Sequence, residues 1–272
     1  MNDAQKANYE KRYVAFLDIL GFREAVKKST AHDQTLFSII NALHSIRPQP
    51  DHIYKITTIP STLPPPKFGA SVFSDSIIIY DEFSLAGLYR TINNITQVTE
   101  QLAIYGMLAR GSLTCGLLHA ANSPSNQPVV FGPALVQAVD LEKVARHPRV
   151  ILSADVYNEI WHYGIAMDSN YRDSVIIRDP DDGAAYISPM YGFRSLVCRD
   201  EPDLKQLGLD YLAAVAHSLM QNLRDAIDNP EHFKKQRWFT EQYNSIMRVA
   251  GRPELQINEF TAHWLGHATE DQ

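Results

Sequence analysis

The chain is short of several things that would have classified it at once. It has only two cysteines in 272 residues, Cys115 and Cys198, far apart and without CxxC spacing, which excludes a disulfide framework and a zinc ribbon. No stretch has the apolar length needed to cross a bilayer, so direct membrane insertion is not expected. The opening MNDAQKANYEKR lacks the apolar segment of a secretory signal, and a cytoplasmic protein is the expectation. Basic residues are in deficit, 25 against 31 acidic for a net charge of −6, which argues against nucleic-acid binding through a basic face. Internal repeats and low-complexity tracts are also missing. The hydrophobic fraction of 45% is ordinary and sufficient for a core.

What is present begins with YVAFLDILGF, Tyr13 to Phe22. Val14, Phe16 and Asp18 fall on one face of a covered strand, Tyr13, Ala15, Leu17 and Ile19 on the other. Gly21 and the amphipathic REAVKK read as a turn entering a helix, where free backbone N–H groups face any anion above. A carboxylate beside an anion site makes sense with a divalent cation between the two, Asp18 holding the metal and the metal holding phosphate oxygens. A helix with Leu36, Ile39, Ile40 and Leu43 at helical spacing follows, then the Pro-rich loop IPSTLPPPKFG at 59–69. ASVF and SIIIY flank Ser74 and Asp75 as a tight hairpin without the favoured turn glycine. A long helix from Leu85 to Tyr105 ends at Gly106, and the strand MLARGSLTCGLLHA comes next. After the loop ANSPSNQP, VVFGPALVQAVDLEKVA reads as a short strand leading into a helix, and PRVILSADVYNEI as another such pair. Residues 172–198 alternate like a hairpin around Asp181, Asp182 and Gly183, and the chain from Pro202 onward is helical with breaks at Asn229-Pro230 and at Gly251 to Pro253. This order predicts an α+β fold, a ferredoxin-like split βαββαβ core with a C-terminal helical extension, in which the ends of the first strand and of the hairpin bring Asp18 and Asp75 together. The expected division is a catalytic unit over 1–200 and helices over 201–272 packing on it.

FLDILGF, FSDSIII, ARGSLTCG, FGPALVQAVDLEK and PRVILS, in that order, resemble the catalytic domain of class III nucleotide cyclases. Among these the chain looks most like the bacterial uridylate and cytidylate cyclases of the Pycsar anti-phage system, over about Tyr13 to Ser153. The resemblance implies a homodimer that closes a pyrimidine nucleoside triphosphate, UTP in preference to CTP, into its 3′,5′-cyclic monophosphate with release of pyrophosphate. It implies two Mg²⁺ or Mn²⁺ ions held by Asp18, Asp75 and the backbone carbonyl of Ile19, and phosphate oxygens cradled by the amides of Leu20, Gly21 and Phe22. It also implies a phage-derived activating signal. Purine-specific relatives carry a Lys or Glu where this chain has Ser71, and a second base-reading residue near Val129. Their transition-state Asn and Arg map to Val136 and Asp140. Arg110 is the candidate replacement contact to base or phosphate, Gln137 a weaker one, and Arg146 or Arg149 a cation supplied across the dimer.

Each of these residues also has an ordinary reading. Asp18 would serve as a helix cap and Asp75 as a turn acid, while Arg110 would be a solvated or salt-bridged strand residue. Glu142 and Lys143 read as a solvated helix face, and Gly132-Pro133 as a strand-to-helix turn. His263 and His267 have HxxxH spacing but Trp264 where a zinc peptidase needs Glu, and DPDDG at 179–183 lacks the ligand pattern of a calcium loop. Leu212, Val215, Leu219 and Leu223 lie on the stripe of a core helix. RWFTEQY is a packing segment or a contact surface. Two rival functions stand beside the pyrimidine cyclase: an adenylate or guanylate cyclase with a divergent base pocket, and an inactive cyclase-like nucleotide sensor or scaffold.

Overall fold

A computed structural model describes residues 8–45, 67–122, 128–163 and 169–258. The Pro-rich segment up to Pro66, the centre of the ANSPSNQP loop and the His263/His267 pair lie outside the described residues. Strand β1 (Glu10–Leu20) runs through Gly21 into helices α1 (Phe22–Ser29) and α2 (Asp33–Ser45). The hairpin β2 (Gly69–Phe73) and β3 (Ser76–Glu82) precedes the long helix α3 (Leu85–Ile104), whose cap Ser84 accepts the Gly87 N–H. Then come β4 (Leu108–Asn122), β5 (Pro128–Phe131), α4 (Pro133–Glu142), β6 (Val150–Leu152) and α5 (Ala154–His162). The remaining elements are α6 (Ser169–Val175), β7 (Ile176–Arg178), β8 (Ala185–Ile187), α7 (Tyr191–Val197), α8 (Pro202–Asp225) and α9 (Pro230–Val249).

The sheet runs β2-β3-β1-β4-β6-β8-β7, with β5 paired to β4. Its first four strands are antiparallel in the order 2-3-1-4 of a split βαββαβ unit, and β6 joins parallel to β4, so the protein is α+β with one mixed sheet. The two faces of β1 go to different layers. Tyr13, Ala15, Leu17 and Ile19 enter the main core with Leu88, Ile92 and Ile95 of α3, while Val14 meets Leu118 and Ala134 on the side covered by α4. With neighbours on both edges and helices on both faces, β1 is apolar nearly throughout.

Helix α4 lies close on the sheet because small residues meet there. Ala134 and Ala138 face β4, where Ser112 donates to the Ala138 carbonyl at 2.6 Å and Thr114 to that of Ala134 at 3.0 Å. A Cβ at Gly116 would sit 3.4 Å from that of Ala134. The hairpin expected over 172–198 is shorter than the alternation implied: β7 and β8 have three residues each, and helices α6 and α7 flank them. Helices α8 and α9 form a second apolar cluster through Leu212, Val215, Leu219, Phe239, Tyr243 and Met247, closed over Ala103, Leu108 and Phe193. Among the described residues no helix is long and apolar enough to cross a membrane.

Candidate active site

Register alone brings the two aspartates to one end of the sheet. Asp18 lies opposite Ser76 on β3 and opposite Arg110 on β4, and it shares the α4-facing side of β1 with Val14. Asp75 sits in the two-residue hairpin turn, and the Ile19 N–H donates to its carbonyl at 2.8 Å. Ser74 supplies the bend that glycine would usually provide, at φ 56. Gly21 takes φ 73, a left-handed conformation free of Cβ cost only in glycine, and the chain reverses there into α1. The α1 cap is Gly21 and no side chain bonds to it, so Asp18 is not a helix cap. Of the neighbouring candidates, Ile19 and Phe22 are buried in the main core, Leu20 packs half-buried against the α8–α9 cluster, and Gly21 is exposed.

Arg110 stands between two carboxylates. Its Nε is 3.5 Å from Asp18 Oδ2 and in ion-pair contact with Glu142 Oε1 at the end of α4. Arg110 Nε and Glu142 Oε1 are both buried and face each other directly. Glu142, expected on a solvated face, is instead only 4% exposed. The series Ala134, Ala138, Glu142 explains this, since steps of four keep all three on the helix face pressed to β4. Lys143 does face solvent, paired with Asp140 at 2.8 Å. Burial pushes the Asp18 carboxyl above its ordinary range; Arg110 pulls it down and Asp75 pushes it further up. The same balance acts on Glu142, raised first by burial, lowered by Arg110 and raised by Asp18. The site therefore holds more negative charge than its one guanidinium offsets.

The other expected positions do not converge on this centre, and Val129 lies at the opposite end of β4, paired with Ala121. Val136, Gln137 and Asp140 lie on the outer face of α4, Ser71 is half-buried on β2, and Val129 is exposed on β5. Arg149 is not available to a partner subunit. It is 1% exposed, held by Asp179 and Asp182 of the DPDDG turn, and it lies over the rings of Tyr186 and Trp238. That pairing also gives the acidic turn its partner without calcium. Arg146 is exposed.

Asp18 and Asp75 offer hard oxygen donors in a partly desolvated, electronegative setting, which suits Mg²⁺ or Mn²⁺. Among the described residues no three His, Cys, Asp or Glu side chains group as a metal site by themselves, so backbone and substrate oxygens would have to complete the shells.

No protein-family model matches the sequence, and no curated protein matches it. Among solved structures, the chain is similar to the adenylyl cyclase CyaB from P. aeruginosa at 13% identity and TM-score 0.45, covering 66% of this chain and 93% of that one. It is similar to a non-canonical dimeric guanylyl cyclase domain of the RhoGC fusion protein from the aquatic fungus Blastocladiella emersonii at 16% identity and TM-score 0.46, covering 66% and 96%. The guanylate cyclase domain of RhGC from Catenaria anguillulae, solved in complex with GTP, is similar at 15% identity and TM-score 0.42, covering 65% and 94%.

Proposed function

We propose that the chain is a nucleotide cyclase acting on a pyrimidine nucleoside triphosphate, UTP before CTP, and that it works as a homodimer. The observation that carries this reading is the meeting of Asp18 and Asp75 at one sheet end, tied by the Ile19 to Asp75 hydrogen bond, with Arg110 directly across β1. Two divalent cations held there would supply Lewis-acid activation of the ribose 3′-hydroxyl and charge neutralisation on the departing pyrophosphate. Asp18, Asp75 and the Ile19 carbonyl would hold the ions, and the Gly21 turn would present its amides to phosphate oxygens. Arg110 would turn from its two carboxylates toward the developing charge on phosphate. Most of the catalysis is then orientation and electrostatics, with no covalent nucleophile on the protein.

The homodimer is supported by apolar side chains left in solvent: Val72 and Phe73 at the hairpin beside Asp75, Val136 on α4, and, at the far end of β4 from the site, Val129 and Phe131 on β5. Uncharged Ser71 and Val129 at the base-reading positions favour a pyrimidine. The role in anti-phage defence, the activating signal and the cytoplasmic setting rest on the resemblance alone, as does the division into a catalytic unit (1–200) and a helical extension (201–272). One observation favours the inactive scaffold: Asp140 is spent on Lys143, and Val136 carries no polar group.

The deciding assay gives purified protein each of the four ribonucleoside triphosphates with Mn²⁺ and identifies the products by mass spectrometry. A cyclic pyrimidine nucleotide is expected, lost in both Asp18→Asn and Asp75→Asn with the circular dichroism spectrum unchanged. A cyclic purine product refutes the pyrimidine assignment, and near-normal turnover in either variant refutes the metal assignment.

A further inference from the structure

Helix α9 runs beside the end of α4 that carries Glu142, where Trp238 holds it. His232, Lys235 and Trp238 recur every three residues and so share one face. At its start, Lys28 of α1 is joined to Asp225, the last residue of α8, by a 2.9 Å ion pair, and both of these charges act on His232. Farther along, Trp238 stacks on His147 with ring centroids 5.2 Å apart and packs with Leu141, Ala145 and Tyr186, just beyond Glu142. Leu20, two residues after Asp18, is packed into the cluster that α8 and α9 build. Lys235 is one turn from Trp238 on α9 and half-buried. It makes no ion pair among the described residues, whereas the adjacent Lys234 is exposed and bonded to Glu231 at 2.9 Å.

An ammonium held partly out of water without a carboxylate of its own is placed for an anion that arrives from solution. Arg110, already shared between Asp18 and Glu142, leaves the anion short of a cation on this side. We propose that Lys235, carried in by the C-terminal helices, binds the outer phosphates of the substrate, so that α9 is a wall of the catalytic pocket as well as a cover for the core. The proposal rests on the triphosphate reading of the site.

The test is calorimetric binding, with Mn²⁺, of inorganic tripolyphosphate and of 3′-deoxyuridine triphosphate, which lacks the attacking hydroxyl. The proteins are the full chain and its Lys235→Gln, Lys235→Arg and Lys234→Gln variants. Lys235→Gln is expected to weaken both ligands by about tenfold, the loss of one charge-assisted contact, while Lys235→Arg keeps most of the affinity and Lys234→Gln all of it. Equal tripolyphosphate binding by wild type and Lys235→Gln overturns the proposal. Lys235-dependent binding of tripolyphosphate with no binding of any nucleoside triphosphate sinks the cyclase reading and leaves the phosphate site standing; binding of neither sinks both.

Discussion

Glu142 draws Arg110 toward α4 and so keeps it from closing fully on Asp18. Neutralising it in Glu142→Gln leaves Asp18 as the only acid facing that guanidinium, and a divalent cation then competes with an arginine for its ligand. The variant is expected to bind Mn²⁺ about tenfold more weakly, since an opposite charge a few ångströms from the ion is worth about 1 to 4 kcal/mol between water and a protein surface. Electron paramagnetic resonance titration of free Mn²⁺ measures this, and unchanged or tighter binding contradicts it. Asp18 was legible in the sequence because an acid is conspicuous in an apolar strand before a glycine turn. Glu142 was not, because DLEK reads as a charged surface run and the residue that gives it a reason to be buried comes from an earlier strand. The spacing Ala134, Ala138, Glu142 was the available signal.

At the scale of elements, α9 is tied to the sheet by aromatic contacts. Trp238 stacks on His147, lies under the Arg149 guanidinium and meets Tyr186 edge-on at 5.7 Å. Its removal in Trp238→Ala is expected to cost about 2 to 3 kcal/mol, below the range for a fully buried tryptophan because this one is half-exposed. Urea unfolding measures the loss; a change under about 0.5 kcal/mol, the level of an ordinary surface substitution, would mean that the ring contacts are idle. Long elements followed their sequence periods closely. β1, α3, α8 and α9 each repeat their apolar pattern often enough to be read, and Pro and Gly mark their ends. The segment 172–198 did not, because β7 and β8 are too short to show a period of two, and Ala185, Tyr186 and Ile187 are all buried by their neighbours rather than alternating.

At the scale of the whole molecule, a buried acid ties the long helix α3 to α7, the helix that precedes α8. Glu100 of α3 accepts the Gly192 and Phe193 N–H groups of α7 at 2.6 and 3.2 Å, and α7 leads directly into α8. Burial overrides those two donors and pushes the carboxyl from 4.5 up to about 8. The folded protein thus keeps a proton that the unfolded chain has released. The stability from this group is complete below about pH 4.5 and is lost as pH rises through about 8. Wild type is expected to have a lower urea midpoint at pH 9 than at pH 6, with most of the difference abolished in Glu100→Gln; an equal drop in the variant would remove Glu100 as the cause. The hydrogen bond from Ile19 to the Asp75 carbonyl has a different reach. It makes the placement of the two aspartates a property of main chain, indifferent to which side chains surround it. The positions proposed above to read the base or to meet a second copy, Ser71, Val129 and Val136, are then free to drift without moving the carboxylates, and the proposed catalytic geometry is inherited separately from the specificity.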